Sequence, residues 1–390
     1  MSAREGAVMV MRTLVVAALL LTSAPALAQS RLTHYKSRCY DVYTDLPAPV
    51  AREIVLRADL MVVEYSARTR AFARTLNQRL PLYVYSRSED YLAAGAIPGS
   101  AGMFMAQGDG GGRLLVMAGP QVGEQTWDTL KHEGFHQFVH AVIGGDIPVW
   151  VNEGLAEYFG AGIFTGDGYI TGVVPPGRLR QLRLLLSEGK MRPLRDMMLT
   201  RHEEWNSSLS VVNYLQAWSM VQFLAHANPR YEQAFNQFIL DVSRGMQWET
   251  AWRNRFGADV TSFERRWREY WTALEPSASL PLYQRGVVHA LTNYYARAAS
   301  QKQTFESADA FFRAARAGEL RAHEQDWLPP SLLEHNLVLA GQMGNWTIDP
   351  RRRTLVCRTN DGSVLAGSFQ LNGRRVKPNG VSVKVSRQQP

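Results

Sequence analysis

The chain has 390 residues, 46% hydrophobic and 20% charged, with 43 Lys plus Arg against 35 Asp plus Glu. These values exclude a disordered, collagenous or disulfide-scaffold protein and fit a globular chain of more than one domain. The formal charge of +8 is spread along the sequence, which implies no nucleic-acid partner but rather general solubility or weak attraction to an anionic surface.

The N-terminus combines Arg12, the short apolar run Leu14–Leu21 and the small-residue end Ala26-Leu27-Ala28. That pattern predicts a signal peptide over 1–28, cut after Ala28, and a periplasmic or secreted product. The run is too short to span a bilayer, and no later stretch is apolar enough, so no integral membrane span is expected. The two cysteines, Cys39 and Cys357, leave two alternatives in an oxidising compartment: one disulfide or two separate thiols.

The α/β segment 29–125 follows. Tyr40–Thr44 alternates as a strand, 49–72 has helical spacing, and Leu82–Tyr85 reads as a second strand. Met103–Met105 and Leu114–Met117 flank the turn Gly108–Gly112, a hairpin pattern. That turn lacks the G-K-[ST] ending of a phosphate loop. Segment 126–274 is dominated by helical patterns, which continue through 275–344 in Tyr283–Ala299 and Phe305–Ala317. In 345–390, Thr354–Thr359, Val364–Leu371 and Val381–Ser386 read as strands, with Asn360-Asp361-Gly362, Asn372-Gly373 and Asn379-Gly380 as hairpin turns. The expected class is α+β.

Chemistry concentrates in His132-Glu133-Gly134-Phe135-His136. On a helix, positions four apart share a face, about 6 Å apart along the axis. Two such imidazoles can converge on one Zn²⁺, and Glu133 can reach a metal-bound water as general base. His140 lies about 12 Å along the helix from His132, so the third ligand should come from a second helix. Pro148-Val149-Trp150-Val151-Asn152-Glu153-Gly154-Leu155-Ala156-Glu157-Tyr158 opens with a proline suited to a first turn. Its acids Glu153 and Glu157 share a face among apolar neighbours. One acid can complete a His₂Glu site and the other can accept the free N–H of a ligand histidine.

These two segments together resemble the gluzincin metallopeptidases, and most closely the secreted peptidase-MA-like proteins of bacteria. The resemblance covers roughly 40–224 and implies a zincin-like core: an N-terminal α/β lobe with a hairpin, then a helical active-site lobe. The C-terminal helices and the small β unit lie outside it. It further implies zinc held by His132, His136 and Glu153, Glu133 as base, and peptide or protein substrates, cell-envelope peptides among them. The aminopeptidase type carries a tyrosine that stabilises the oxyanion; Tyr214, in Asn213-Tyr214-Leu215-Gln216-Ala217-Trp218, stands at a similar distance. His202 is the alternative donor, as in thermolysin-type sites. Aminopeptidases of the group also carry an acid in a G-x-M-E-N segment, and Ala101-Gly102-Met103-Phe104-Met105 has none, so aminopeptidase activity is not implied. The alternative reading from another class is a catalytically inactive cell-envelope binding protein.

Overall fold

The computed structural model describes residues 32–107, 111–144, 146–208, 211–372 and 375–384. The expected signal segment and residues 108–110 of the glycine turn lie outside them. The chain is α+β, and its contacts divide it into two units: residues 32–162 with 174–276, and residues 163–173 with 277–384.

The first unit begins with a five-stranded sheet in the order β1-β2-β3-β5-β4, formed by β1 (Thr33–Lys36), β2 (Tyr40–Thr44), β3 (Leu80–Tyr85), β4 (Gly102–Ala106) and β5 (Gly112–Met117). The pairs β2–β3 and β3–β5 are parallel, while β1–β2 and the expected β4–β5 hairpin are antiparallel. Strand β2 alternates buried and half-buried residues, the period that made it legible. Helix α1 (Ala48–Thr69) joins β2 to β3, and the short α2 (Ser88–Ala93) follows β3.

Helix α3 (Glu124–Val142) is buried almost all round from Trp127 to Phe138, including His132, Glu133, His136 and Gln137. On its apolar side Phe135 and Phe138 each lie 5.4 Å from the Tyr65 ring of α1, and the Tyr65 hydroxyl donates to the Lys131 carbonyl. Its Thr129 and Glu133 face β4. A Cβ placed on Gly102 would stand 2.5 Å from Thr129 Cγ2 and 2.9 Å from Glu133 Cγ, so only glycine lets the strand approach the helix this closely. Gly102→Ala is therefore expected to destabilise the protein by about 1–3 kcal/mol through overpacking, read as a lower midpoint in urea unfolding.

Helix α4 (Val149–Gly160) starts behind Pro148, whose φ of −53° is preset for a helix entry. The unit continues through α5 (Pro176–Ser187), α6 (Leu194–Leu199), α7 (His202–Ser208), α8 (Val211–His226), α9 (Pro229–Ser243), α10 (Trp248–Phe256) and α11 (Val260–Ala273). Gly154 of α4 sits against α8: an added Cβ would lie 2.5 Å from the Ala217 carbonyl oxygen. The close approach of these two helices fixes the position of Glu153 in the core.

The second unit holds the two-residue strands β6 (Ile163–Phe164) and β7 (Tyr169–Ile170), then α12 (Leu280–Ser300), α13 (Ala308–Arg316) and α14 (Pro330–Met343). A four-stranded antiparallel sheet follows in the order β11-β10-β9-β8, from β8 (Gly344–Asp349), β9 (Thr354–Thr359), β10 (Val364–Asn372) and β11 (Arg375–Lys384). Helix α14 falls within the expected helical segment 275–344, while β8 and the β6–β7 pair lie outside the expected strands. Asn379-Gly380 does not join two strands as its turn chemistry predicts; it lies inside β11. There the register shifts opposite Gly367–Phe369, and Gly380 has φ +80°. One residue of β10 faces two of β11, a bulge whose positive φ glycine accommodates.

Of the two alternatives for the cysteines, the structure has the separate thiols. Cys39 and Cys357 are free and buried, each inside a different unit, and Cys357 packs with Val288 and Leu365. Burial raises both thiols, Cys357 to about 11. Among the described residues no helix is long and apolar enough to cross a membrane.

Candidate metal centre

Three buried side chains from two helices meet at one point. His132 and His136 of α3 bring their Nε2 atoms to 3.2 Å, and Glu153 Oε2 of α4 stands 3.5 Å from the first and 3.6 Å from the second. All three residues are 1–3% exposed. For an ion about 2.0–2.1 Å from each donor at tetrahedral angles, donor atoms stand about 3.3–3.4 Å apart. The observed triangle matches that spacing.

The same atoms leave a place for a cation. Neither Glu153 oxygen has a hydrogen-bond partner among the described residues; the His132 and His136 imidazoles face it at ion-pair distance, and a cation held among the three would satisfy the carboxylate directly. The buried His132-His136-Glu153 group can hold a metal ion.

The ligands are oriented from behind. Glu157 Oε1 stands 3.0 Å from His132 Nδ1, while its Oε2 is paired with Arg178 at 2.5 Å. Arg178 also donates to the Glu157 carbonyl at 3.3 Å. His136 Nδ1 lies 3.1 Å from the Asn152 side-chain oxygen. One ligand histidine is thus backed by a carboxylate and the other by a neutral amide, which fixes both rings and their tautomers. Arg178→Ala leaves Glu157 free to turn away from His132. A 10–100-fold loss of metal affinity is expected, the scale of lost outer partners, and competition with a chromophoric chelator measures it.

Glu133 points to the other side, toward the sheet. The Phe104 N–H of β4 donates to its Oε2 at 3.3 Å. Burial raises the Glu133 carboxyl, only partly opposed by His132 and His136. Lys131, also buried, donates to the Gly162 carbonyl at 2.7 Å and lies 3.1 Å from Asp128, pinning the end of α4 to α3.

Electrostatics would make metal binding at this group depend on pH. Burial alone would lower the His132 imidazolium, but Glu153 and Glu157 outweigh it and raise it to about 9. Burial would likewise raise Glu153, but the two histidines pull it down to about 2. Without metal, the His132 contribution to stability is complete below its unfolded value of about 6.5 and fades as pH rises through about 9. The Glu153 contribution is complete above about 4.5 and fades toward about 2. A cation must displace the His132 proton. Affinity is therefore expected to rise with pH toward about 9, with about one proton released per ion at neutral pH. Calorimetry in buffers of different ionisation enthalpy reads this release.

Of the remaining sequence candidates, Tyr214 reaches the site's edge: its ring lies 6.2 Å from that of His132 and 5.2 Å from that of Trp205. Its hydroxyl is buried with no hydrogen-bond partner among the described residues. Burial, with Glu153 next, pushes the phenol up, so it stays protonated. His202 is exposed at the first position of α7 and is not among the buried groups. His140 is exposed near the end of α3, its ring 5.3 Å from that of Phe104. Sequence reasoning missed Asn152, Arg178 and the Phe104 N–H. Asn152 had a signal, since it directly precedes Glu153; Arg178 and a backbone donor had none.

Residues 126–246 are similar to a family described as a protein of unknown function (DUF1570). The match takes in α3 from Thr126 onward, α4, Arg178 and Tyr214, and so contains the whole centre except β4. No curated protein matches the chain.

Proposed function

We propose that the chain is a secreted or periplasmic zinc metallopeptidase of the gluzincin type, built on a zincin-like core and acting on peptide or protein substrates. One observation carries this reading: a buried His₂Glu triangle of metal-ligand dimensions with a second, non-ligating carboxylate, Glu133, beside it. Two imidazoles and one carboxylate form a donor set that suits zinc and leaves a coordination position open.

A bound ion supplies Lewis acidity toward water and toward a carbonyl oxygen. The chain supplies the rest. Glu133 accepts the proton of the attacking water and returns it to the leaving amine; its raised affinity for protons suits both steps. The Phe104 N–H holds one carboxylate oxygen and leaves the other for the proton. Strand β4 ends the sheet order, so its outer edge offers main-chain groups to an extended peptide. Tyr214, kept protonated, is the donor for the oxyanion that forms as the carbonyl is attacked.

The test incubates the purified chain, loaded with zinc, with a broad peptide library and reads products by mass spectrometry. Internal cleavage supports an endopeptidase. Zinc held with no cleavage supports the inactive binding scaffold instead.

A further inference from the structure

We propose that a second site, independent of the metal centre, binds a diphosphate-type anion in an arginine-lined cleft of the first unit. The cleft has a volume of about 480 Å³ and lies where α1 ends and the chain turns toward β3. Arg70, Arg74 and Arg79 line it from that turn, and Arg38 from the loop between β1 and β2. No acidic side chain lines it.

Among the described residues, Arg38, Arg70 and Arg74 have no carboxylate at ion-pair distance, while Arg79 is shared with Asp41 at 3.1 Å. Several unpaired guanidinium groups around one cleft repel each other, and that repulsion is relieved when an anion enters. Guanidinium groups only donate hydrogen bonds, and their forks match phosphate oxygens in pairs. Asn77 and Gln78 add neutral amides to the lining.

The arginines stand on anchored backbone. The Arg74 N–H donates to the Val142 carbonyl at 2.9 Å, and Leu80 N–H to the Cys39 carbonyl at 2.8 Å. On the opposite wall the Arg38 and Cys39 backbone is held by Asp59, which is not itself part of the lining: their N–H groups donate to its two oxygens at 3.1 and 2.9 Å. The volume falls in the range of small-molecule sites, about 300–1,000 Å³, larger than one phosphate needs. A diphosphate uses both the space and more than one fork. Its source is either a free diphosphate or two adjacent phosphodiester headgroups of an anionic lipid surface, whose oxygens pair with guanidinium forks in the same way.

The experiment titrates the full chain with inorganic pyrophosphate by calorimetry at low salt. In parallel, it sediments the chain with phosphatidylcholine vesicles with and without phosphatidylglycerol. Expected is saturable binding in at least one arm, weakening as sodium chloride rises. Arg70→Gln with Arg74→Gln should weaken it at least about tenfold, the scale of charge-assisted hydrogen bonds. Arg351→Gln with Arg352→Gln, an equal charge change on exposed residues of the second unit, should leave it unchanged. Pyrophosphate binding assigns a free diphosphate; binding only to phosphatidylglycerol vesicles assigns a lipid headgroup. Arg70→Lys with Arg74→Lys should lose forks but keep charge and give an intermediate affinity. It serves as the test if the glutamine pair lowers the melting temperature. No binding in either arm, or equal weakening in cleft and control variants, overturns the proposal.

Discussion

Glu133→Gln is expected to lower peptide hydrolysis by about 10²–10⁴-fold, the usual worth of a positioned general base, while the metal stays bound. Glutamine has nearly the same shape and keeps an oxygen for the Phe104 N–H, so β4 and α3 need not move. It cannot accept a proton. The ligands His132, His136 and Glu153 are untouched, so metal content should equal that of the wild type. Stability should not fall. Burial raises the Glu133 carboxyl, which means the charged form is disfavoured in the folded state at neutral pH, and removing that charge removes a cost. An inactive variant that holds its metal and melts no lower than the wild type would be a trade of stability for activity. Steady-state kinetics beside metal analysis and a thermal melt give all three results. Unchanged hydrolysis would remove Glu133 from the mechanism.

Glu153→Ala is expected to abolish stoichiometric metal binding and, with it, hydrolysis. The carboxylate supplies one corner of the triangle and the only negative charge directly on it, since Glu157 faces the far nitrogen of His132. Two imidazoles alone give neither the charge nor the coordination number of a stable site. The loss should also be visible in stability. Metal at about 1,000 times its Kd stabilises the folded protein by about 4 kcal/mol, so zinc should raise the wild-type melting temperature and leave that of Glu153→Ala unmoved. A variant that still binds zinc one-to-one with wild-type affinity would show that the third ligand lies elsewhere.

Much of this centre was legible because helix periodicity fixes faces. His132 and His136 share a face four residues apart, and the same spacing that placed them together kept His140 out. Glu153 and Glu157 were legible as an acidic pair among Trp150, Leu155 and Phe159, a pattern a solvated helix does not show. Strand β2 and helix α1 were readable from alternation and from the spacing of Ile54, Ala58, Met61 and Tyr65. What periodicity does not carry is register between distant segments. Nothing in the sequence around Arg178 says that it reaches Glu157, since the strip 163–173 between them belongs to the second unit. The Phe104 N–H is a backbone group, and its aim at Glu133 depends on how closely Gly102 lets β4 approach. Asn379-Gly380 has turn chemistry in either setting; only the pairing partners decide between a hairpin turn and a bulge. The cysteines stayed open for a related reason: count and compartment allow two thiols to pair or to stand apart, and only the structure shows that both are free and buried.

We propose that His132, His136 and Glu153 hold one catalytic-type metal ion. The most direct test is the metal content of the purified chain after equilibration with micromolar zinc and removal of unbound ion. About one zinc per chain is expected, lost on chelation and absent from Glu153→Ala. A wild-type chain that holds no zinc under these conditions, while folded, would contradict it.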